Sequence, residues 1–278
     1  MSVLTAAPAA RHADRDRSAV ALKDVVLAAH GSRDPRAAAD TRRVVAAVAS
    51  ARPDLRVRDA YLDFTAPALG AALHGEFGPT TVVPLLFTPA YHARVDVPSV
   101  VDAAVDRGVA VAATPVLGPT GPDDPGLDLL VSALIRRLGE ATYPPGSWNP
   151  SGAIRQLDSK IHEWGVDAVV LGAAGSRDES ALDTVETVAH AIGYRLRMPC
   201  VIGYATGAGR TVSEAVNAAR DAGARRLGYA SMFLASGLLA DRAALAARTA
   251  GVGAIAAPLA DAPEIARLIG IRVDSTIV

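Results

Sequence analysis

The chain has 278 residues, of which 50% are hydrophobic, 21% are charged and only 4% are aromatic. This composition excludes a disordered chain, because disordered segments have too few apolar side chains to form a core. The 28 basic and 29 acidic side chains leave a net charge of −1, so we expect no nucleic-acid partner. No apolar run approaches the ~18 residues of a membrane span, and the single cysteine, Cys200, excludes an intrachain disulfide. We therefore expect a cytoplasmic protein without a membrane partner.

Residues 1–20 mix arginine and aspartate with alanine and contain no apolar core, which is untypical of a signal peptide and predicts a flexible tail. Short apolar runs then alternate with amphipathic segments, a pattern typical of βαβ units and parallel sheets. Strands are predicted over 25–29, 57–62, 81–87 and 109–113, and helices over 35–51, 66–77 and a segment ending at 107.

The sequence then repeats itself, since the run Val25 to Pro35 returns in closely similar form as Val169 to Glu179. Residues 142–152 are rich in proline and glycine and predict a linker. We therefore predict an α/β protein of two tandem doubly wound parallel-sheet domains, residues 21–141 and 153–278, with a cleft between them. In the second domain, strands are predicted over 168–171, 200–204, 226–230 and 252–256, and helices over 153–164, 180–191, 212–222 and 242–249.

His30 opens the motif His-Gly-Ser-Arg-Asp-Pro, where a strand ends and a helix begins. Asp34 suits a helix N-cap, Pro35 suits the first helical position and Gly31 permits a tight turn. The second copy keeps Gly-Ser-Arg-Asp but has Ala174 in place of the histidine. The turn is therefore interpreted as structural and His30 as functional, at the sheet edge where ligands bind in this fold class.

His92 and Asp63 follow the third and second strands, so they are expected at the same edge as His30. The corresponding segments of the second half, residues 233–240 and 204–207, have neither a histidine nor a carboxylate. Two imidazoles and one carboxylate suit a divalent transition metal. A helix N-cap remains the alternative for Asp63.

The other four histidines, His12, His74, His162 and His190, lie in the tail or in predicted helices, where solvation explains them. The glycine-rich run 203–210 lacks the lysine and the spacing of a phosphate-binding loop.

The strand with His30-Gly-Ser-Arg33, the segment Tyr61-Leu-Asp63 and the run Pro84 to Pro98 together resemble the sirohydrochlorin chelatase family. These are the class II chelatases, and the longer members contain two such domains with one histidine pair. The resemblance implies that the divalent metal is a substrate, with no tightly bound cofactor, and that a tetrapyrrole is the partner. His30 and His92 match the histidines that hold the metal and help to remove pyrrole protons. Asp63 stands where the family more often has a glutamate.

The resemblance implies insertion of Fe²⁺ to give sirohaem, with Co²⁺ insertion for a corrinoid as the alternative. The carboxylates of such a substrate call for donors, and the candidates are the amides of Gly31 and Ser32 with the side chains of Arg33 and Arg94. The second half is expected to supply the other wall of the cleft, and the duplication makes a monomer plausible. A non-catalytic metal or tetrapyrrole carrier and a phosphate- or nucleotide-handling enzyme using Ser32 or Gly207 are the competing hypotheses.

Overall fold

The computed structural model describes residues 22–74, 78–90, 92–142, 161, 163, 165–207 and 209–276, with residue 92 described by its backbone only. The expected tail over 1–20, nearly all of the linker and most of the predicted helix over 153–164 lie outside these residues. The boundaries between the two domains therefore stay predictions.

The first half forms a parallel sheet in the strand order β2-β1-β3-β4. Its helices lie between consecutive strands, as in a doubly wound domain. Of the predicted helix over 66–77, the described residues up to 74 form a single turn, and the third strand ends three residues earlier than predicted, at Pro84. The elements are β1 (Lys23–Ala29), α1 (Pro35–Ala51), β2 (Leu55–Tyr61), α2 (Leu69–Ala72), β3 (Thr80–Pro84), a π-helical turn (His92–Asp96), α3 (Val97–Val105), β4 (Val111–Ala113) and α4 (Pro125–Thr142).

The second half repeats this topology with the strand order β6-β5-β7-β8, all parallel. The predicted fold class, two tandem doubly wound parallel-sheet domains, is thereby confirmed. The elements are β5 (Ala168–Ala173), α5 (Glu179–Leu196), β6 (Cys200–Tyr204), α6 (Val212–Asp221), β7 (Leu227–Ser231), α7 (Leu238–Thr249), β8 (Ala254–Ile255) and α8 (Pro263–Asp274).

Each central strand is apolar on both faces, because each sheet is covered on both sides. In β1, Val25 and Leu27 belong to a core that also contains Val169 and Leu171 of β5. The intervening Val26 belongs to a separate cluster on the outer face of the first sheet. One large core is thus shared by the inner faces of the two sheets.

Helices α4 and α8 each pack against the half of the protein to which they do not belong in sequence. Helix α4 follows the first sheet in sequence but packs on β7 and β8, whereas α8 at the end of the chain packs on α1 and β3. Arg136 of α4 and Glu264 of α8 form a buried ion pair with a shortest N–O distance of 2.6 Å. The two halves are therefore interlocked, and neither of these two helices was among the predicted elements.

Among the helices of the described part of the chain, none combines the length and the apolarity needed to cross a membrane.

Candidate active site

A cleft of about 560 Å³ lies between the two halves, where the carboxyl ends of the central strands of both sheets meet. His30 follows β1 and Tyr61 ends β2, while Ala174 and Tyr204 occupy the corresponding places in the second half. The described residues that line the cleft include no lysine, arginine, aspartate or glutamate. The cleft is therefore an apolar space with the imidazole of His30 at its wall.

The second half contributes an apolar wall over residues 232–240, from the end of β7 into α7. The backbone N–H of Ser236 in this segment donates to the buried Asp40 carboxylate of α1, at 2.7 Å. Leu238, 71% exposed, lies at the start of α7 and also lines the cleft. The hydrogen bond between Ser236 and Asp40 fixes the apolar wall against α1, the helix that follows His30.

The turn after β1 holds His30 in place. Gly31 has a φ of +92°, and a Cβ at this residue would lie 1.8 Å from the carbonyl oxygen of Asp63. The backbone carbonyl of His30 accepts a 2.9 Å hydrogen bond from the Asp63 N–H. The Ser32 N–H, a predicted anion donor, donates to the Thr65 hydroxyl at 3.2 Å. Only glycine fits at residue 31, because the backbone turns left-handed there and a neighbouring carbonyl fills the space.

The second half builds the same turn without the histidine. Gly175 also has a φ of +92°, and its Cβ would lie 1.9 Å from the Thr206 carbonyl oxygen. The Thr206 N–H donates to the Ala174 carbonyl at 3.0 Å. Asp178 caps α5 through the Ser180 N–H as Asp34 caps α1 through the Arg36 N–H. The turn is thus a structural device present in both halves, whereas the imidazole is present in one.

Asp63 lies beside His30 in the fold but outside the lining of the cleft. It is exposed, and its carboxylate accepts a 2.8 Å hydrogen bond from the Phe64 N–H. Among the side chains that the structure describes, no three of the His, Cys, Asp and Glu type lie close enough to hold a metal ion. Because the side chain of His92 lies outside the described part, the set His30, His92 and Asp63 stays a prediction.

The two predicted arginines lie outside the cleft lining and have different contacts. The exposed Arg33 places its guanidinium 4.9 Å from the centre of the Phe64 ring. Arg94 forms a 3.2 Å ion pair with Asp178 and donates to the Ser180 hydroxyl, so it joins the two halves. The Ser180 hydroxyl makes the largest contribution to holding the pKa of Asp178 below its usual range; desolvation, the next largest effect, opposes it, and the charge of Arg94 adds a smaller lowering effect.

Sequence reasoning missed two aromatic residues next to His30. Burial, together with the acceptor Asp59 at 2.7 Å, raises the pKa of Tyr61, which lines the cleft, to about 12, so its hydroxyl stays neutral near pH 7. Phe64 packs edge-on against the imidazole of His30, with ring centres 6.2 Å apart and planes at 85°. Alignment with the second half offers a signal for Phe64, since Gly207 holds the equivalent place in the repeat.

Comparison with solved structures finds the same fold in proteins of low sequence identity. The sirohydrochlorin chelatase SirB from Bacillus subtilis subspecies spizizenii, in complex with cobalt, aligns with a TM-score of 0.66 and 15% identity over 91% of this chain and 94% of that one. SirB from Bacillus subtilis with Fe³⁺ aligns with a TM-score of 0.68 and 16% identity over the same shares. CbiX, described as the terminal enzyme of siroheme biosynthesis in denitrifying bacteria, aligns with a TM-score of 0.62 and 20% identity over 92% of this chain and 100% of that one.

No curated protein matches the sequence significantly. The family model described as CbiX matches residues 24–140 and again residues 168–276, so that it covers both halves and most of the chain. The chain therefore belongs to the CbiX family of class II chelatases, the family that its motifs resemble.

Proposed function

We propose that the protein is a sirohydrochlorin chelatase that inserts Fe²⁺ into the tetrapyrrole to make sirohaem. The observation that carries the proposal is the placement of His30 on the wall of an apolar cleft between two CbiX-type halves. The relatives of the same fold support it, because SirB is described with cobalt or Fe³⁺ and CbiX as a terminal enzyme of siroheme biosynthesis.

The apolar walls suit the faces of a flat macrocycle. Burial of apolar surface favours binding, and a cleft between two domains is a common place for a small-molecule site. The described lining residues include no lysine or arginine, so the carboxylates of the substrate have no cationic side chain of this kind as a partner inside the cleft. Because burying an unpaired charge is unfavourable, these carboxylates stay at the rim.

Donors for the carboxylates are assigned to the rim near His30. Arg33 is exposed beside the mouth, and the amide of Gly31 lies in the turn before α1. The amide of Ser32 and the guanidinium of Arg94 have partners in Thr65 and Asp178, so each must exchange a partner to bind substrate. Arg33 is therefore the donor that the geometry favours most.

Metal insertion exchanges one divalent ion for the two protons of the pyrrole N–H groups. A neutral imidazole can bind a divalent metal or accept a proton near neutral pH, so it can couple the loss of a pyrrole proton to arrival of the metal. We assign this role to His30, whose backbone is fixed by the Gly31 turn. His92 and Asp63, on the loops that follow β3 and β2, are the proposed further ligands and proton acceptors.

The test is anaerobic incubation of the purified chain with excess metal-free sirohydrochlorin and Fe²⁺, followed by visible absorption. We expect many turnovers per chain above the spontaneous rate and a loss of at least about 100-fold in His30→Ala, the usual effect of removing a general acid–base group. His190→Ala, which removes an exposed histidine of α5, is the matched control and should keep the wild-type rate.

A wild-type rate equal to the spontaneous one, or full activity of His30→Ala, would overturn the proposal. Tight stoichiometric binding without turnover would instead identify a carrier. The same assay with Co²⁺ distinguishes the alternative of a cobalt-inserting enzyme, which would show the higher kcat/KM with that ion.

A further inference from the structure

The backbone of Phe64 adopts a conformation that bulky side chains avoid. Its φ is +57°, in the left-handed region, which glycine and asparagine adopt readily and a large residue adopts rarely. Phe64 lies in the segment between β2 and α2, next to the turn that carries His30. Such conformations are energetically costly, persist only where the surrounding structure enforces them, and cluster at active sites and ligand-binding segments.

The second half shows which residue this position prefers. The Tyr61 N–H donates to the Pro67 carbonyl, and the Tyr204 N–H donates to the Arg210 carbonyl in the same manner. These bonds align Phe64 with Gly207, whose φ is +87°. The same loop is therefore built once with glycine, in the half that lacks the histidine, and once with phenylalanine, in the half that has it.

The side chain of Phe64 contributes little to the core, since 54% of its surface is exposed. Its ring is nearly perpendicular to the imidazole of His30, with ring centres 6.2 Å apart, and its centre lies 4.9 Å from the guanidinium carbon of Arg33. Phe64 does not itself line the cleft, but its exposed ring contacts the proposed metal-binding imidazole, which does, and the proposed carboxylate donor Arg33.

We propose that Phe64 is a substrate-binding residue whose exposed ring packs against the tetrapyrrole at the cleft mouth, beside the point where His30 reaches the metal. A tetrapyrrole is much wider than an imidazole, so a macrocycle centred near His30 extends over the neighbouring Phe64. Aromatic rings stack well on flat conjugated systems, and the apolar contact removes surface of both partners from water. This inference rests on the proposed function, because it names a contact for the same substrate.

The experiment compares Phe64→Gly with wild type, using the residue that the second half carries at the same place. Three quantities are measured: the melting temperature, the Kd for metal-free sirohydrochlorin by absorption titration without metal, and KM and kcat for metallation. In Phe64→Gly we expect an unchanged or higher melting temperature, because the backbone is relieved. Kd and KM should rise by about 10-fold, the effect expected for losing the contact of about half an aromatic side chain.

Two further variants separate binding from structure. Phe64→Tyr keeps the ring and should restore Kd to within about 2-fold of wild type, since the aromatic face is unchanged. Tyr194→Ala removes an exposed ring near the C-terminal end of α5, roughly 18 Å along the helix from Leu182, which lines the cleft, and should bind as wild type does.

Wild-type Kd and KM in Phe64→Gly would overturn the inference, as would a falling melting temperature with equal losses in Phe64→Gly and Phe64→Tyr. If wild type metallates and only the Phe64 result is negative, the proposed function stands and this inference fails. If wild type binds the tetrapyrrole without turnover, the proposed function fails and the titration alone decides the role of Phe64. If wild type binds no tetrapyrrole, both are wrong.

Discussion

Removing one partner of the buried ion pair between α4 and α8 is expected to destabilise the whole protein. Glu264 is completely buried, and its carboxylate accepts three contacts from Arg136, at 2.6, 2.8 and 3.1 Å. The substitution Glu264→Leu leaves the guanidinium of Arg136, whose side chain is only 9% exposed, without its counter-charge. Breaking such a buried pair on one side lowers the free energy of unfolding by about 3–5 kcal/mol.

The assay is equilibrium unfolding in urea, followed by circular dichroism. The matched control is Asp261→Asn, which breaks the ion pair between Asp261 and Arg137, the residue after Arg136. Asp261 is 60% exposed, so its loss should lower the free energy of unfolding by no more than about 1 kcal/mol. The double variant Arg136→Met with Glu264→Leu should recover most of the loss, because apolar residues of similar size can replace a buried pair.

Equal losses for Glu264→Leu and Asp261→Asn would refute this reasoning about burial. Because α4 and α8 each pack on the sheet of the other half, both halves should also unfold in one transition. Two separated transitions in the wild-type protein would show that the shared core does not couple them.

Two further predictions concern the repeated turn and the loop before α4. Gly31→Ala and Gly175→Ala each place a Cβ close to a carbonyl oxygen, at 1.8 and 1.9 Å. Calorimetry should therefore show that both lower the free energy of unfolding by a similar amount, roughly 2–4 kcal/mol. Only Gly31→Ala should also lower kcat for metallation. Burial opposes ionisation of Asp124, yet hydrogen bonds from Arg272 and from the Thr120 and Gly126 amides hold its pKa below the ordinary value. The pKa of Asp124 is lower in the folded than in the unfolded state, so its carboxylate stabilises the fold fully above about pH 4 and loses this contribution as the pH falls through the folded-state pKa. The difference in melting temperature between wild type and Asp124→Asn should therefore shrink in acid.

The positions of the main strands and helices could be predicted where the local signal is strong. Helix α1 runs from Pro35 to Ala51 as predicted, because Asp34 caps it and Pro35 suits its first turn. Strand β6 also has the predicted bounds, Cys200 to Tyr204. Of the helix predicted over 66–77, the described residues up to 74 are helical only at Leu69–Ala72, because Pro67 precedes this turn and Gly70 lies within it.

The partners of α4 and α8 could not be predicted, because local sequence shows that a helix is amphipathic but not which sheet it covers. Arg136 and Glu264 lie far apart in sequence, and each resembles an ordinary surface charge until the fold brings them together. Phe64 was missed for a similar reason, since a phenylalanine in a loop gives no indication of a positive φ. His30 was found because an internal comparison was available: the second copy keeps the turn and loses the imidazole.

The two copies differ in a way that follows from their shared cleft. Gly31 and Gly175 are both retained, because each half needs its own turn to fold. In the proposed function one cleft needs only one set of reactive groups, and Ala174 in place of the imidazole keeps the backbone hydrogen bond from the Thr206 N–H that holds the turn. The second copy instead supplies the largely apolar segment over residues 232–240, which in the proposed function is a wall for the flat face of the macrocycle. Both this wall and His30 line the same cleft, so in the proposed function the second half acts on the substrate through shape and the first half through chemistry.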